Sequence, residues 1–514
     1  MSRFPERAAA SRRVDPLRLV FVWLTLLLLA PLPCRADPAE PRNLPVLSYS
    51  APQDPHYVRL LLEQLAILGA GLGQYSYNSG ANSRDWEFDY DWRSFRARLD
   101  GEAYSLDNNR FDTNFLLHPL AGSLYYLGAR SNQLGPFAAL AVTFGSSALW
   151  EYFGEFRERV SINDLLVTPL AGMAWGETST QLGAYFLRAC PSLANETLGS
   201  TFAPLIAIHD AVDGAERLHT DCNTEARAAH RFRLSLNGGE AWSEGLNAYP
   251  QLRANVQTEV MHLPGFGQAG QGWSVFSDGN VSRFGLSVSF ADWQPIEAMD
   301  VTLLTQTVIT GVHYRNSAFH GGQLRRREAV FGLLVGAEYS RHRYDGWTAP
   351  DHIFLLDLPA VTTRYYGRGP NLAWELTLDA GGIFGGASAF ALSRASRSGA
   401  PLDLTSVASV EGYDHVFGVA LSPRARLELG SVELGVDVRS DRMFALRALD
   451  VSGRVPQTPV TELRRRSSLW VALGAPGLER FLLSANWLQR VGTMGDVRVS
   501  RNELSLNLGF ELAP

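Results

Sequence analysis

From about His230 to Leu512 the sequence alternates apolar and polar residues with a period of two, and no other feature limits the possible folds as much. Phe232, Leu234 and Leu236 interleave with Arg231, Arg233, Ser235 and Asn237. The same pattern recurs at Phe284–Phe290, Leu372–Leu378, Val432–Val438 and Leu504–Leu512. Successive side chains of a strand point to opposite faces, so each segment has one wet face and one apolar face. A soluble β-sandwich alternates too, but three further features favour a membrane barrel. Many segments run ten or more residues, the length a tilted strand needs to cross a bilayer. Aromatic residues fall near segment ends, as in interfacial girdles: Trp293, Tyr314, Tyr339, Tyr344, Tyr365, Tyr366 and Trp487. The alternation also continues almost to the C-terminus, as it must if the last strand pairs with the first. One departure is the ending, where Phe510 is followed by Glu511-Leu512-Ala513-Pro514 instead of closing on an aromatic.

Segment starts near residues 230, 251, 282, 299, 328, 352, 371, 415, 431, 463, 480 and 499 give an even strand number, as such barrels have. The expected fold is therefore α+β: an N-terminal helical region, 55–228, followed by a C-terminal antiparallel transmembrane β-barrel of about 12 strands, 229–514. Gly385–Val410, rich in Ser, Ala and Gly, reads as a long loop.

The start of the chain points to the same compartment. Arg3, Arg7, Arg12, Arg13 and Arg18 precede the apolar run Leu19–Ala30, and Cys34-Arg35-Ala36 offers small residues before Asp37. This reads as a signal peptide over 1–36, with a linker over 37–54. Export and a barrel together place the expected protein in the outer membrane of a Gram-negative cell. Its expected partners are outer-membrane lipid and the barrel-assembly machinery. Beyond residue 36, acidic residues outnumber basic ones by ten, which argues against nucleic acid. Cys190 and Cys222 remain after cleavage, and an oxidising compartment favours a disulfide between them over two buried thiols.

Between residues 55 and 228 the periodicity is helical, with candidates at Tyr57–Leu72, Phe115–Tyr126, Gly135–Phe156, Asn163–Phe186 and Thr201–Val212. Ser161-Ile162-Asn163-Asp164 has the form of a helix N-cap. Gly80–Asp112 reads as an irregular connector. Long apolar helices would halt export, so these helices are expected to bury their faces on one another. They would then plug the barrel lumen or lie beneath it in the periplasm.

This region concentrates ionisable residues. His118, Glu151, Glu155 and Asp164 are candidates for a general acid/base site or a divalent-metal site. Asp112, Asn114, Arg130 and Glu177 read as a structural network. Gly122, Gly172 and Gly176 sit at helical spacing and would let helices approach closely. The competing interpretation is a buried ion-pair network in which Arg130, Arg157 or Arg159 neutralises the carboxylates. No Ser-centred elbow, HExxH or phosphate loop occurs, and no cofactor is expected.

Phe111-Asp-Thr-Asn-Phe115, His118-Pro-Leu-Ala-Gly122-Ser-Leu-Tyr-Tyr126, Ala129-Arg130, Trp150-Glu151-Tyr152, Ser161-Ile-Asn-Asp164 and Gly172-Met-Ala-Trp-Gly176-Glu177 together resemble a bacterial family known as domain of unknown function 3943. The resemblance spans roughly residues 85–190. It implies an envelope protein with a barrel-like C-terminal part and no assigned activity. The order Glu151, Glu155, Arg159, Asp164, Gly172 and Gly176 is also similar to VanZ-like membrane proteins. Two readings follow. One is a non-enzymatic barrel whose helices gate it, bind a partner or serve the envelope structurally. The other is a hydrolase or metal-dependent enzyme acting on lipid or glycan. Arg side chains filling the His118–Glu151–Asp164 region would favour the first, and a region free of them the second.

Overall fold

The computed structural model describes residues 54–77, 86–214, 230–243, 248–263, 265–291, 299–344, 350–369, 371–392, 407–446, 459–474 and 479–512. The expected signal peptide, nearly all of the linker, Cys222 with its expected bridge, and Trp293 lie outside them.

Twelve antiparallel strands close into a barrel: β1 Arg231–Ser243, β2 Tyr249–Met261, β3 Val281–Ala291, β4 Asp300–His320, β5 Gln323–His342, β6 Asp351–Arg368, β7 Leu372–Ser388, β8 Tyr413–Leu429, β9 Val432–Ala445, β10 Val460–Leu473, β11 Glu479–Met494 and β12 Val497–Leu512. Each begins within five residues of its expected start. β12 pairs with β1, so the ring has no free edge. An accessory strand, Gly270–Phe276, continues the edge of β4 beyond the end of β3. The β4–β5 hairpin turns on Gly321 and Gly322, both at positive φ, the backbone a two-residue turn requires. β7 runs on to Ser388, so the first residues of the expected Gly385–Val410 loop are strand.

Alternation sorts side chains between lumen and outer wall. The lumen is crossed by ion pairs between distant strands. Arg464 on β10 meets Glu338 on β5 at 2.8 Å and Asp441 on β9 at 2.6 Å. Arg439 on β9 reaches Asp357 on β6 at 2.8 Å, and Arg490 on β11 holds Glu462 and Asp351. A cavity of about 310 Å³ remains, lined in part by Ser468, Ser484 and Asn486. Outward residues such as Leu376, Leu469, Leu483 and Leu506 are exposed. An Arg placed in a membrane on this face costs about 2–4 kcal/mol near the bilayer midplane. Leu506→Arg should therefore lower the yield of heat-modifiable, membrane-inserted barrel sharply. Ser484→Arg, facing the cavity, should insert far better, and equal yields would mean that the faces are reversed.

The aromatic residues divide in a way that alternation alone demands. Tyr365 points outward and is exposed, whereas its neighbour Tyr366 points inward and is buried. Tyr339 points outward but is covered, and Tyr344 is buried. Of these four, only Tyr365 has the exposure of a girdle residue.

Among the described residues, seven helices precede the barrel: α1 Tyr57–Tyr77, α2 Trp92–Leu99, α3 His118–Ser131, α4 Pro136–Leu149, α5 Ile162–Arg188, α6 Leu193–Phe202 and α7 Pro204–Asp213. Pro204 at the first turn of α7 splits the expected Thr201–Val212 helix, because proline is tolerated there but not further in. The expected connector contains α2 and a two-residue strand, Tyr104–Ser105, parallel to Val160–Ser161. One-turn π-helices precede α3 (Thr113–Leu117) and follow α4 (Trp150–Gly154).

The helices pack on the outer wall of the barrel, not in its lumen. Outward side chains along β5 read Phe331, Leu333, Val335, Ala337 and Tyr339. The first two are 56% and 37% exposed, and the last three at most 8%. Val335, Ala337 and Tyr339 share an apolar core with Phe115, Ala171 and Trp175 of the helices and with the outward Phe354 and Leu356 of β6. Farther along, Leu182 and Phe186 of α5 join Phe202 of α6 on Val256, Leu286 and Val301 of β2–β4. Thr178 hydrogen-bonds Thr307 across this seam at 3.0 Å. The neighbouring Gln306 points inward to Asp357. The physical reason is complementarity: the helices' apolar faces find no match in an ionic lumen, but they match the apolar outer wall. Burying each large apolar side chain contributes roughly 1.5–3 kcal/mol.

Candidate functional site

α5 is the axis of the helical domain. It starts where Ser161 Oγ accepts the Asp164 amide at 3.1 Å, the N-cap expected from the sequence. It crosses α3 backbone to backbone at Gly172 and Gly122. A Cβ on Gly122 would stand 1.8 Å from the Thr168 carbonyl oxygen, and one on Gly176 would stand 2.7 Å from the Tyr126 ring. That closeness sets the first turn of α5 beside the start of α3, so Asp164 faces His118.

His118 Nδ1 lies 3.2 Å from Asp164 Oδ1. The same oxygen accepts from Asn163 Nδ2 at 2.8 Å. Glu151, on the π turn after α4, accepts the Ser161 amide through Oε2 at 2.9 Å. One oxygen each from Glu151, Glu155 and Asp164 lies within 4.8 Å of the others. Glu151 and Asp164 are fully buried, Glu155 and His118 partly exposed. Glu151 Oε1 and Asp164 Oδ2 are buried with no hydrogen-bond donor among the described residues. Sequence alone does not say which of the three carboxylates His118 meets. In the structure its direct partner is Asp164, and the glutamates stand beyond that carboxylate. π-bulges recur at functional sites, and here two of them set the positions of Glu151 and His118.

The arginines expected to neutralise this group do other work. Arg130 is bound to Glu177 at 2.8 Å and to Asp278 at 3.1 Å, with Tyr126 and Gln181 also on Glu177. Arg157 pairs with Asp89 and Arg159 with Glu87. Asn114 donates to Asp107 and Tyr413, and Asp112 makes no ion pair among the described residues. The four residues expected to form one network are thus divided. Two participants were missed in the sequence. Arg98, wholly buried, donates to the backbone carbonyls of Glu151 and Glu158 and so pins the π turn. Asp107 adds a carboxylate next to the cluster, and its only signal was the polar run Asp107-Asn108-Asn109.

Burial raises the Glu151 and Asp164 carboxyls well above the usual carboxylate range, and neighbouring carboxylates raise them further. Burial and Glu158 push Glu155 up to about 8. Burial lowers His118, which keeps its ring neutral. In the folded chain the carboxyls hold protons that the unfolded chain releases from about pH 4 upward, so their contribution to stability is lost as pH rises toward 8. His118 changes charge only below about pH 6.5 and does not contribute at higher pH. In the presence of chelator, the unfolding midpoint of the helical domain should fall between about pH 6.5 and pH 8.5. A midpoint that rises over that range would contradict the assignment. Chemically, the group can share protons or hold a hard cation. The ligand atoms on offer are all carboxylate oxygens, the donor type that hard divalent cations take.

This stretch of chain is where a family match falls. Residues 103–207 match the family described as Domain of unknown function (DUF3943). The matched DUF3943 segment starts later and ends later than the 85–190 expected from the motifs, and it takes in α3 to α6 and the start of α7. All four cluster residues lie within it, and the barrel strands lie beyond it. No curated protein matches the chain in sequence. Similar solved structures are outer-membrane barrels. OmpT of Vibrio cholerae with loop L8 deleted is 10% identical, with 55% of this chain and 98% of that chain covered and a TM-score of 0.20. A porin is 9% identical over 55% and 100% of the two chains, with a TM-score of 0.18. The β domain of the Bordetella autotransporter BrkA is 10% identical over 55% and 99%, with a TM-score of 0.19.

Proposed function

We propose that this is an outer-membrane protein whose barrel is a sealed anchor and whose helical domain works by binding a divalent cation at Glu151, Glu155 and Asp164. The observation that carries the reading is the pair of buried, donorless oxygens, Glu151 Oε1 and Asp164 Oδ2, in a carboxylate group with no arginine ion pair among the described residues. Leaving such groups ionised and unpaired is costly, so they hold protons or a cation. An oxygen-rich set with one histidine close by suits Mg²⁺, Ca²⁺ or Mn²⁺. A bound cation would make water more acidic, and neutral His118, held by Asp164, is placed to accept its proton. That is the chemistry of hydrolysis, and ester or glycan bonds at the membrane are the substrate class it would serve.

A gated channel is the poorer reading, because ion pairs such as Arg464–Glu338 and Arg490–Asp351 tie opposite walls across the lumen.

Mn²⁺ titration of purified, heat-modifiable protein followed by electron paramagnetic resonance tests the proposal. One Mn²⁺ per chain should bind, and the Glu151→Gln/Asp164→Asn double variant should lose it while its barrel stays heat-modifiable. Failure of the folded wild-type protein to bind at millimolar Mn²⁺, or binding unchanged in the variant, would overturn it.

A further inference from the structure

The helical domain turns apolar side chains outward as well as inward. Along α1, Leu61, Leu62 and Leu65 are 59%, 62% and 54% exposed. Its two charged residues face the domain instead: Arg59 binds Asp213, and Glu63 meets His209 and Asn132. On α3 the exposed positions include Leu120 and Leu124, and on α4 they include Phe137. None of the exposed positions on α3 or α4 carries a charge. α6 behaves differently after its exposed first residue, Leu193, presenting Glu196 and Thr197 to water. A soluble protein rarely leaves large apolar patches uncovered. The charges that α1 could have shown to water are drawn inward, while leucines point out.

What covers these faces is indicated by their continuity with the barrel. On β5 the exposed Phe331 and Leu333 lead directly into Val335 and Ala337, where the helices take over. Along β5 the helical layer therefore borders the apolar outer wall with no polar side chain between them. No described helix is long and apolar enough to cross a membrane. An amphipathic helix that does not cross can still lie in the plane of the interface with its apolar face among the acyl chains.

We infer that the outward faces of α1, α3 and α4 rest in the acyl-chain region of the membrane that surrounds the barrel. The helical domain is then attached to lipid along its side as well as to the barrel wall. This rests on the barrel's placement in a membrane and is independent of the cation, so either can fail alone.

The test uses the full chain with Cys190→Ser and Cys222→Ser, reconstituted in vesicles of phosphatidylethanolamine and phosphatidylglycerol. Single variants Leu62→Cys, Leu120→Cys, Phe137→Cys and Glu196→Cys carry a nitrobenzoxadiazole label, and heat-modifiability verifies that each is folded. The first three should show blue-shifted emission and lose most of it when doxyl-labelled acyl chains are included, whereas position 196 should be quenched by aqueous iodide only. Iodide quenching at all four positions would overturn the inference. So would a blue shift that doxyl lipids leave unquenched, since a second copy or another protein would then be the cover.

Discussion

Gly122→Ala is expected to dismantle the helical domain while leaving the barrel inserted. The added methyl carbon would stand 1.8 Å from the Thr168 carbonyl oxygen, and the atom it meets is backbone, which cannot rotate away as a side chain could. α3 and α5 would have to separate along their crossing. Overpacking of this kind costs about 3 kcal/mol or more. Separation would also draw His118 from Asp164, so cation binding should fall with stability. Denaturant unfolding followed by helical ellipticity should show a lowered first transition, with the heat-modifiable barrel band unchanged. An unaltered first transition would mean that the crossing is looser than described.

Arg490→Met is expected to have a comparable effect on the barrel. Arg490 is fully buried and holds Glu462 at 2.6 Å and Asp351 at 3.2 Å, joining β11, β10 and β6. Neither carboxylate has another ion-pair partner among the described residues. Removing one member of a buried pair costs about 3–5 kcal/mol, because the remaining charge is stranded. The heat-modification temperature should drop substantially. Neutralising both partners as well, with Asp351→Asn and Glu462→Gln, should recover most of the loss. A triple variant no better than Arg490→Met would show that packing, not charge, is what Arg490 supplies.

The strands were legible because period two is a property of the chain alone. Leu504–Leu512 announces its two faces whatever surrounds it. What lies against the outer face was not legible, since Val335 against a helix and Leu333 facing outward are the same chemistry. That is why the helices were expected in or below the lumen. Tyr365 and Tyr366 show the complementary limit: composition near a strand end suggested a girdle, but parity sends only one of them outward. In the helical domain the N-cap at Ser161 and the close approach at Gly122 and Gly172 follow from local rules. The partners of Arg130, Arg157 and Arg159 do not, because a charge on one helix can reach several carboxylates once the chain is packed. The burial of Arg98 left no trace in the sequence for the same reason.

The helical domain is built onto the outer wall of the barrel, which places the carboxylate cluster beside the barrel and not inside it. An engineered disulfide tests this most directly. Thr178 of α5 and the outward Thr307 of β4 are in hydrogen-bond contact, so cysteines at these positions are placed to bridge. In a chain carrying Cys190→Ser and Cys222→Ser, the pair Thr178→Cys/Thr307→Cys should cross-link almost completely on mild oxidation of inserted protein. The pair Thr178→Cys/Gln306→Cys, one residue away but aimed into the lumen, should not. Cross-linking of the Gln306 pair, or of neither, would mean that α5 does not lie on the outer wall.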